Sequence, residues 1–168
     1  MKHKLSVLFS ALCSCSIVAC ILFATGCKEN NPPDPGNNEP SLYGNVSRPA
    51  WTAPAEYDYT SSLTALISVD LTIQYPDSAQ GHTIKDADML GAFSGSKCLG
   101  VAVPDSASGM FFLYVASPSS EETQSVTLRY YSAQYKNLFE AKNAFVYKND
   151  DHLGTPASPF KPTFTLVE

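Results

Sequence analysis

Residues 62–74 alternate between apolar and polar side chains, broken only at Leu66, and this pattern constrains the fold of the chain most strongly. One side carries six apolar residues: Leu63, Ala65, Ile67, Val69, Leu71 and Ile73. Alternation with a period of two is typical of a β-strand with one buried and one solvated face, whereas a helix would spread these residues around its circumference. The sequence therefore predicts a strand that ends before Pro76, because proline has no N–H to donate to a neighbouring strand.

A hairpin is predicted over residues 85–103, where two short apolar segments flank a turn at Gly95 and Ser96. A two-residue loop at this position would place Gly91 opposite Gly100. Both faces of the hairpin are apolar, so we expect it to lie at the centre of a sheet. The two facing glycines would leave a trough in which another side chain lies close to the backbone.

Apolar or alternating segments also predict strands over residues 110–116, 125–131, 135–147 and 160–167. Residues 110–116 are apolar on both faces and are expected to form a buried strand. Turn-forming Gly, Pro and Ser residues separate these segments, and nothing after residue 27 has a sustained helical period. The sequence therefore predicts an all-β domain, an Ig-like antiparallel β-sandwich.

Residues 1–26 are predicted to be an export signal rather than part of the fold. Lys2 and Lys4 precede an apolar stretch that ends in small residues before Cys27. A positive start, an apolar core and a small-residue cleavage site are typical of a secretory signal peptide. Four serines interrupt the apolar core, which favours a cleaved signal over the alternative of a retained transmembrane helix.

The segment Ala24-Thr25-Gly26-Cys27 resembles the lipobox of bacterial lipoproteins, in which the cysteine becomes the first mature residue and carries the lipid. Residues 28–31 resemble the export tag of surface lipoproteins from Bacteroidetes-type bacteria. The resemblance implies lipidation of Cys27 and a lipid-anchored location on the outer membrane, at the cell surface. Several acyl chains would hold the protein on the bilayer, since each buried methylene contributes about 0.8 kcal/mol.

Residues 27–50 are predicted to form a disordered, flexible linker behind this anchor. The segment is rich in Asn and contains five prolines: Pro32, Pro33, Pro35, Pro40 and Pro49. It has too few apolar residues to offset the entropy lost on ordering. The globular domain is accordingly predicted over residues 51–168, held away from the lipid surface by the linker.

Acidic residues outnumber basic ones in the mature chain. Without Lys2 and Lys4, 9 of the 11 basic residues remain against 16 acidic ones, a formal net charge of −7. No basic run is present, which argues against nucleic acid as a partner. Cys98 is the one cysteine after Cys27, and its apolar neighbours favour a small buried residue over a catalytic nucleophile or a metal ligand.

The hairpin segment MLGAFSGSKCLGVA, residues 89–102, resembles a module of Bacteroidetes-type surface lipoproteins and secreted repeat proteins. The module has the pattern Ala-Phe, a turn, and Cys-x-Gly-Val-Ala. Lys97 and Leu99 flank Cys98 in this chain, where the pattern has an acidic and a basic residue. The resemblance implies a β-sandwich at the cell surface rather than a particular chemistry.

Asp86 and Asp88 are the candidate metal ligands, because side chains two residues apart on a strand share one side. The loop that contains Asp150, Asp151 and His152 offers further ligands. Ca²⁺ prefers carboxylate and carbonyl oxygens as ligands, so calcium is the candidate cofactor. The alternative is that these acids shape turns and solvate the entrance of the hairpin.

Four aromatic residues are the candidate ligand-binding set: Trp51, Tyr57, Tyr59 and Tyr131. Tryptophan and tyrosine combine a flat apolar face with a polar group, which suits stacking on sugar rings. Packing in the core or at its rim is the alternative for each of them. Ser78 and Ser106 follow aspartate in two triplets that resemble the O-glycosylation acceptor of Bacteroidetes-type bacteria.

The sequence favours a binding function over catalysis. It contains no Gly-x-Ser-x-Gly, no His-Glu-x-x-His and no phosphate-binding glycine loop. We expect a lipid-anchored surface module, not an enzyme, that recognises a glycan or a surface protein. A structural subunit of a surface assembly or adhesin is the first alternative, and a small hydrolase is the second.

Overall fold

The computed structural model describes residues 41–55, 58–117 and 124–167. These residues form the eight strands β1 (Ser61–Ile67), β2 (Met89–Ser94), β3 (Lys97–Ala102), β4 (Phe111–Ser117), β5 (Ser125–Ser132), β6 (Asn137–Val146), β7 (His152–Leu153) and β8 (Thr165–Leu166). A short 3-10 helix spans Leu71–Ile73. The described part of the chain contains no α-helix.

The strands build two sheets that pack together as a β-sandwich. Sheet A has the order β4-β1-β7, and sheet B has the order β3-β2-β5-β6-β8. All strand pairs are antiparallel except β1 and β7, which are parallel. The predicted all-β sandwich is therefore confirmed, while its Ig-like identity stays a prediction.

The core lies between the inner faces of the two sheets. Sheet A contributes the inward residues of β1 and β4, and sheet B contributes those of β2, β5 and β6. Its largest fully buried aromatic side chains are Phe111, Tyr130, Tyr135, Phe139, Tyr147 and Phe164. Burying one such side chain contributes about 1.5–3 kcal/mol to the stability of the fold.

The strand predicted over residues 62–74 is shorter than expected. Strand β1 ends at Ile67, and the chain enters the 3-10 helix four residues later, at Leu71. The cause is Asp70, whose Oδ1 accepts a hydrogen bond from the backbone N–H of Thr72 at 3.0 Å and caps the turn. Leu71 is still fully buried, which explains why the apolar pattern did not reveal the change of structure.

The register of the predicted hairpin is wrong by one residue beyond its turn. Ser94 pairs with Lys97 and Phe93 with Cys98 as expected, but a β-bulge then makes Leu99 an extra residue. Gly100 consequently lies opposite Ala92, and Gly91 lies opposite Val101. The two glycines do not face each other, and each is required by a different neighbour.

The folded region begins before Trp51, so the predicted linker extends too far. Leu42 is 2% exposed and belongs to the core. The N–H of Gly44 donates to the carbonyl of Tyr135 and that of Val46 to the carbonyl of Lys136, both at 2.9 Å. We call residues 41–51 the strap. Amino-acid composition does not reveal the backbone pairing of the strap. Residues 27–40 lie outside the part of the chain that the structure describes.

Trp51 belongs to a second packed layer on the outer face of sheet B. Its ring meets that of Phe93 edge to face, with centroids 5.3 Å apart. The guanidinium of Arg129 lies 4.5 Å from the centre of the Phe93 ring and forms an ion pair with Glu140 at 2.9 Å. The contacts that Trp51 and Arg129 make with Phe93 are thus internal to the fold.

Candidate functional site

Strand β4 exposes two aromatic rings on the outer face of sheet A. Phe111, Leu113 and Val115 point into the core, and Phe112 and Tyr114 alternate with them on the other side. Phe112 is 65% exposed and Tyr114 is 41% exposed. The expectation of a strand buried on both faces is wrong, because the described part of the chain leaves the outer face of β4 largely exposed.

The register of sheet A arranges the outer residues in rows across the three strands. Tyr114 of β4 lies opposite Thr64 of β1, which in turn lies opposite His152 of β7. Phe112 lies opposite Leu66 in the next row. Tyr59, just before β1, packs against Tyr114 with ring centroids 5.8 Å apart and planes inclined by 64°.

A groove of about 410 Å³ runs over the central strand beside Phe112. Its lining consists of Thr64, Ala65, Leu66, Phe112, His152, Leu153, Gly154, Thr155 and Pro156. The volume falls within the range of about 300–1,000 Å³ that is usual for small-ligand sites. We call the groove together with Tyr59, Phe112 and Tyr114 the aromatic face.

Backbone pairing to β1 fixes the far wall of the groove. The N–H of Thr64 donates to the carbonyl of Asp151 at 3.1 Å, and the N–H of Phe160 donates to the carbonyl of Leu66 at 2.9 Å. Gly154 between them has a φ of +76°, and a Cβ there would lie 2.5 Å from the oxygen of Leu66. Only glycine permits so close an approach of this loop to the sheet.

Polar groups at the groove are few. The hydroxyl of Thr64 is hydrogen-bonded to Nδ1 of His152. The hydroxyl oxygen of Thr155 accepts a hydrogen bond from the N–H of Ser158 at 3.1 Å, which leaves its own proton to donate. Asp151 accepts a hydrogen bond from the backbone N–H of His152, not from its ring. These groups can exchange hydrogen bonds with a ligand in the groove.

The structure places the predicted aromatic residues in different settings. Tyr59 joins the aromatic face, and Trp51 packs on Phe93 on the other sheet. Tyr131 is 6% exposed and is part of the packed layer rather than a surface residue. Tyr57 lies outside the described residues. The sequence missed Phe112 and Tyr114, although their alternation with Phe111 and Leu113 was visible.

The structure places Asp86 and Asp88, the predicted metal ligands, in different settings. Asp86 is exposed in a turn, whereas Asp88 is completely buried. The Asp88 carboxylate accepts three hydrogen bonds, from the hydroxyl of Tyr130 at 2.6 Å and from the backbone N–H groups of Ala133 at 2.7 Å and Lys85 at 3.0 Å. The described residues contain no group of three or more His, Cys, Asp or Glu side chains that could hold a metal ion.

His82 extends this buried network. Its Nε2 lies 3.1 Å from the hydroxyl oxygen of Tyr130, and its ring stacks on that of Tyr135. The single hydroxyl proton of Tyr130 goes to Asp88, so Nε2 of His82 must be the donor to Tyr130. Burial lowers the pKa of His82, against the opposing effect of the Asp88 charge, and burial also raises the pKa of Tyr130.

The network predicts a pH-dependent stability. His82 in the unfolded chain titrates near pH 6.5, and its pKa in the fold is lower. Between these two values the unfolded chain binds more protons, so the free energy of unfolding rises with pH there, by at most about 1.4 kcal/mol per pH unit. The contribution is fully present above pH 6.5 and is lost as the pH falls towards the pKa of the folded form.

Urea unfolding of the wild type and of His82→Gln between pH 5 and 7.5 measures this effect. Glutamine keeps an N–H donor near Tyr130 but does not titrate, so its stability should change less with pH across this window. Asp88, Asp70 and Lys85 are the other charged groups that act on His82, and they are the same in both proteins. Equal pH slopes for the two proteins would show that His82 is not the titrating group.

The structure does not test the roles predicted for the remaining candidate residues. Ser78 and Ser106 are both exposed in turns, where the sequence placed them, and their O-glycosylation stays a prediction. Cys98 is only partly buried, on the outer face of sheet B opposite Phe93, and burial raises the pKa of its thiol. A raised pKa keeps the thiol protonated and unreactive. Cys27 lies outside the described residues.

No helix in the described part of the chain has the length and apolar character needed to cross a bilayer. No protein-family model matches the chain, and no curated protein or solved structure matches it either.

Proposed function

We propose that this protein is a lipid-anchored module of the cell surface that recognises an extracellular ligand, a glycan or a protein, through the aromatic face. The observation that carries the proposal is the pair of exposed rings on β4, Phe112 at 65% and Tyr114 at 41% exposure, beside a groove. Single exposed apolar residues are common on protein surfaces, but adjacent aromatic rings beside a concave site are typical of binding sites.

Tyr114 packs against Tyr59, whereas Phe112 has no such partner. Phe112 makes no ring contact with another aromatic residue in the described chain, and the core beneath it is filled by Phe111 and Leu113. Aromatic residues are the side chains that most often dominate binding energy, because they bury a large area at a small cost in conformational entropy. An uncovered Phe112 is therefore better accounted for by a ligand than by folding.

The double variant Phe112→Ala with Tyr114→Ala is expected to weaken ligand binding at least about 30-fold, since loss of an aromatic anchor costs about 2 kcal/mol or more. Its folding should be nearly unchanged because both side chains are exposed. Glycan and secreted-protein arrays supply the ligand, and titration calorimetry with both proteins measures the loss. Ile73→Ala is the matched control, an exposed apolar residue of the 3-10 helix. Equal affinity of the double variant and this control would exclude the aromatic face.

The lipid anchor at Cys27 rests on the lipobox resemblance and is tested separately. Cys27→Ala should leave the protein unlipidated and move it from the membrane fraction to the soluble fraction of its own cells, because the acyl chains are lost. Detergent partition and mass measurement of the mature N-terminus report the change. Cys98→Ala is the control, and membrane retention of Cys27→Ala would contradict lipidation at this residue.

The sheet edges give less support to the alternative function, a structural subunit that assembles by strand pairing. On one side of the sandwich the edge strands β7 and β8 each have two residues, too short to template a long pairing. On the other side β3 and β4 approach each other closely at Gly100. The binding function accounts for the exposed rings, whereas strand pairing does not.

A further inference from the structure

We propose that the ligand of the aromatic face is a single, neutral, linear oligosaccharide chain that lies along β4, with one sugar unit in the groove between Phe112 and His152. This inference rests on the proposed binding function and names the ligand class for that same site. It follows from the charge of the face, the spacing and inclination of its rings, and the polar groups of the groove.

The aromatic face carries no formal charge. None of the nine residues that line the groove is Asp, Glu, Lys or Arg, and Tyr59 and Tyr114 are neutral as well. Recognition of charged partners relies on complementary charges, which are missing from this lining. The overall negative charge of the chain, −5 in total, further disfavours acidic polysaccharides. An uncharged face matches an uncharged ligand.

The rings form a row longer than one sugar. Phe112 and Tyr114 are two residues apart on one strand, about 6.6 Å along it, and the ring centroid of Tyr59 lies 5.8 Å from that of Tyr114. A sugar ring offers an apolar C–H face to an aromatic ring, and each such contact resembles stacking. Three rings in succession therefore provide contacts for more than one unit of a chain.

The rings do not lie in one plane. Tyr59 and Tyr114 are inclined by 64°, so these two rings form a step rather than a flat platform. A flat row would suit the surface of an ordered, insoluble polysaccharide, whereas a stepped row suits a single chain whose successive units rotate. This inclination is the reason for proposing a soluble chain rather than a polysaccharide surface.

The groove supplies polar partners for hydroxyl groups. His152 uses Nδ1 with Thr64, and Nε2 has no hydrogen bond within the described part of the chain. Thr155, across the loop, has a hydroxyl proton to donate. A sugar unit packed on Phe112 would exchange hydrogen bonds with these two groups, which gives orientation as well as affinity.

Titration calorimetry with neutral linear oligomers of one to six units tests the inference on the full mature protein in detergent. The probes are β-1,4-linked glucose, xylose and mannose oligomers and α-1,4-linked glucose oligomers, with galacturonate oligomers as the charged comparison. For at least one neutral series we expect the affinity to rise about tenfold between two and four units and then to level off. Tyr59→Ala should remove this gain for longer oligomers, Phe112→Ala should remove binding altogether, and Ile73→Ala should change neither.

Four results would overturn the inference. A monomer that binds as tightly as a hexamer would exclude an extended site, and a preference for galacturonate oligomers would exclude a neutral ligand. Failure of every oligomer, with a secreted protein bound in a Phe112-dependent manner, would replace the glycan by a protein and leave the proposed function standing. Oligomers that bind Phe112→Ala as tightly as the wild type would exclude the aromatic face as the binding site and would contradict the proposed function as well.

Discussion

Replacing Asp88 by asparagine is expected to lower the free energy of unfolding by about 3 kcal/mol, since hydrogen bonds to a charged group contribute about 1.5–3 kcal/mol and three of them meet at this carboxylate. An amide has one acceptor oxygen and would present N–H groups to donors that now point at a carboxylate oxygen. Donors that now share the carboxylate would then lose a partner at a side chain that is completely buried.

The same change at Asp86 is the matched control. Asp86 is exposed two residues away, and a surface substitution of this kind usually changes stability by no more than about 0.5 kcal/mol. Urea unfolding of Asp86→Asn and Asp88→Asn measures the difference. If Asp88→Asn lost as little stability as Asp86→Asn, the hydrogen bonds around Tyr130 would not be what fixes the start of β2 against the turn after β5.

Replacing Gly100 by alanine is expected to cost about 3 kcal/mol, at the upper end of the usual range for overpacking. A Cβ at this position would lie 2.0 Å from the backbone oxygen of Tyr114. A backbone atom cannot move aside as a flexible side chain can, so β3 and β4 would have to separate where the two sheets meet.

Gly91→Ala is the comparison that separates this effect from the general cost of filling a glycine. Its Cβ would meet ring atoms of Phe93 at 2.7 Å and Trp51 at 3.0 Å, both of which are side chains that can shift. We expect a loss of about 1 kcal/mol at Gly91, to be measured by urea unfolding alongside Gly100→Ala. Equal losses at the two positions would contradict the close approach of β3 and β4.

Sequence patterns predicted the fold class because the strands have one clear buried face. The inward residues of β1 and β4 follow a period of two, and the structure buries them as expected. The patterns failed where one local interaction changes the backbone while most of the predicted inward residues stay buried; Ile73 is the exception, at 54% exposure. Asp70 ends β1 early while Leu71 stays in the core, and the bulge at Leu99 shifts a register that the apolar pattern alone cannot reveal.

The candidate site was harder to predict because exposure depends on what the rest of the chain covers. Phe93 and Phe112 are both outward-facing aromatic residues on strands, and the sequence does not distinguish them. The strap brings Trp51 onto Phe93, whereas no described segment lies over Phe112. Asp88 shows the converse, since an acid at the hairpin entrance indicated a surface site but is buried by contacts with distant residues.

The most direct test of the central claim, that the aromatic face is the binding site, is hydrogen–deuterium exchange of the full mature protein with and without the neutral hexasaccharides described above. Binding should slow exchange in peptides that cover residues 111–117 and 149–157, which include β4 and the far wall of the groove. Peptides that cover the hairpin of residues 89–102 should be unaffected. Protection confined to that hairpin or to the strap, with none at β4, would contradict the account.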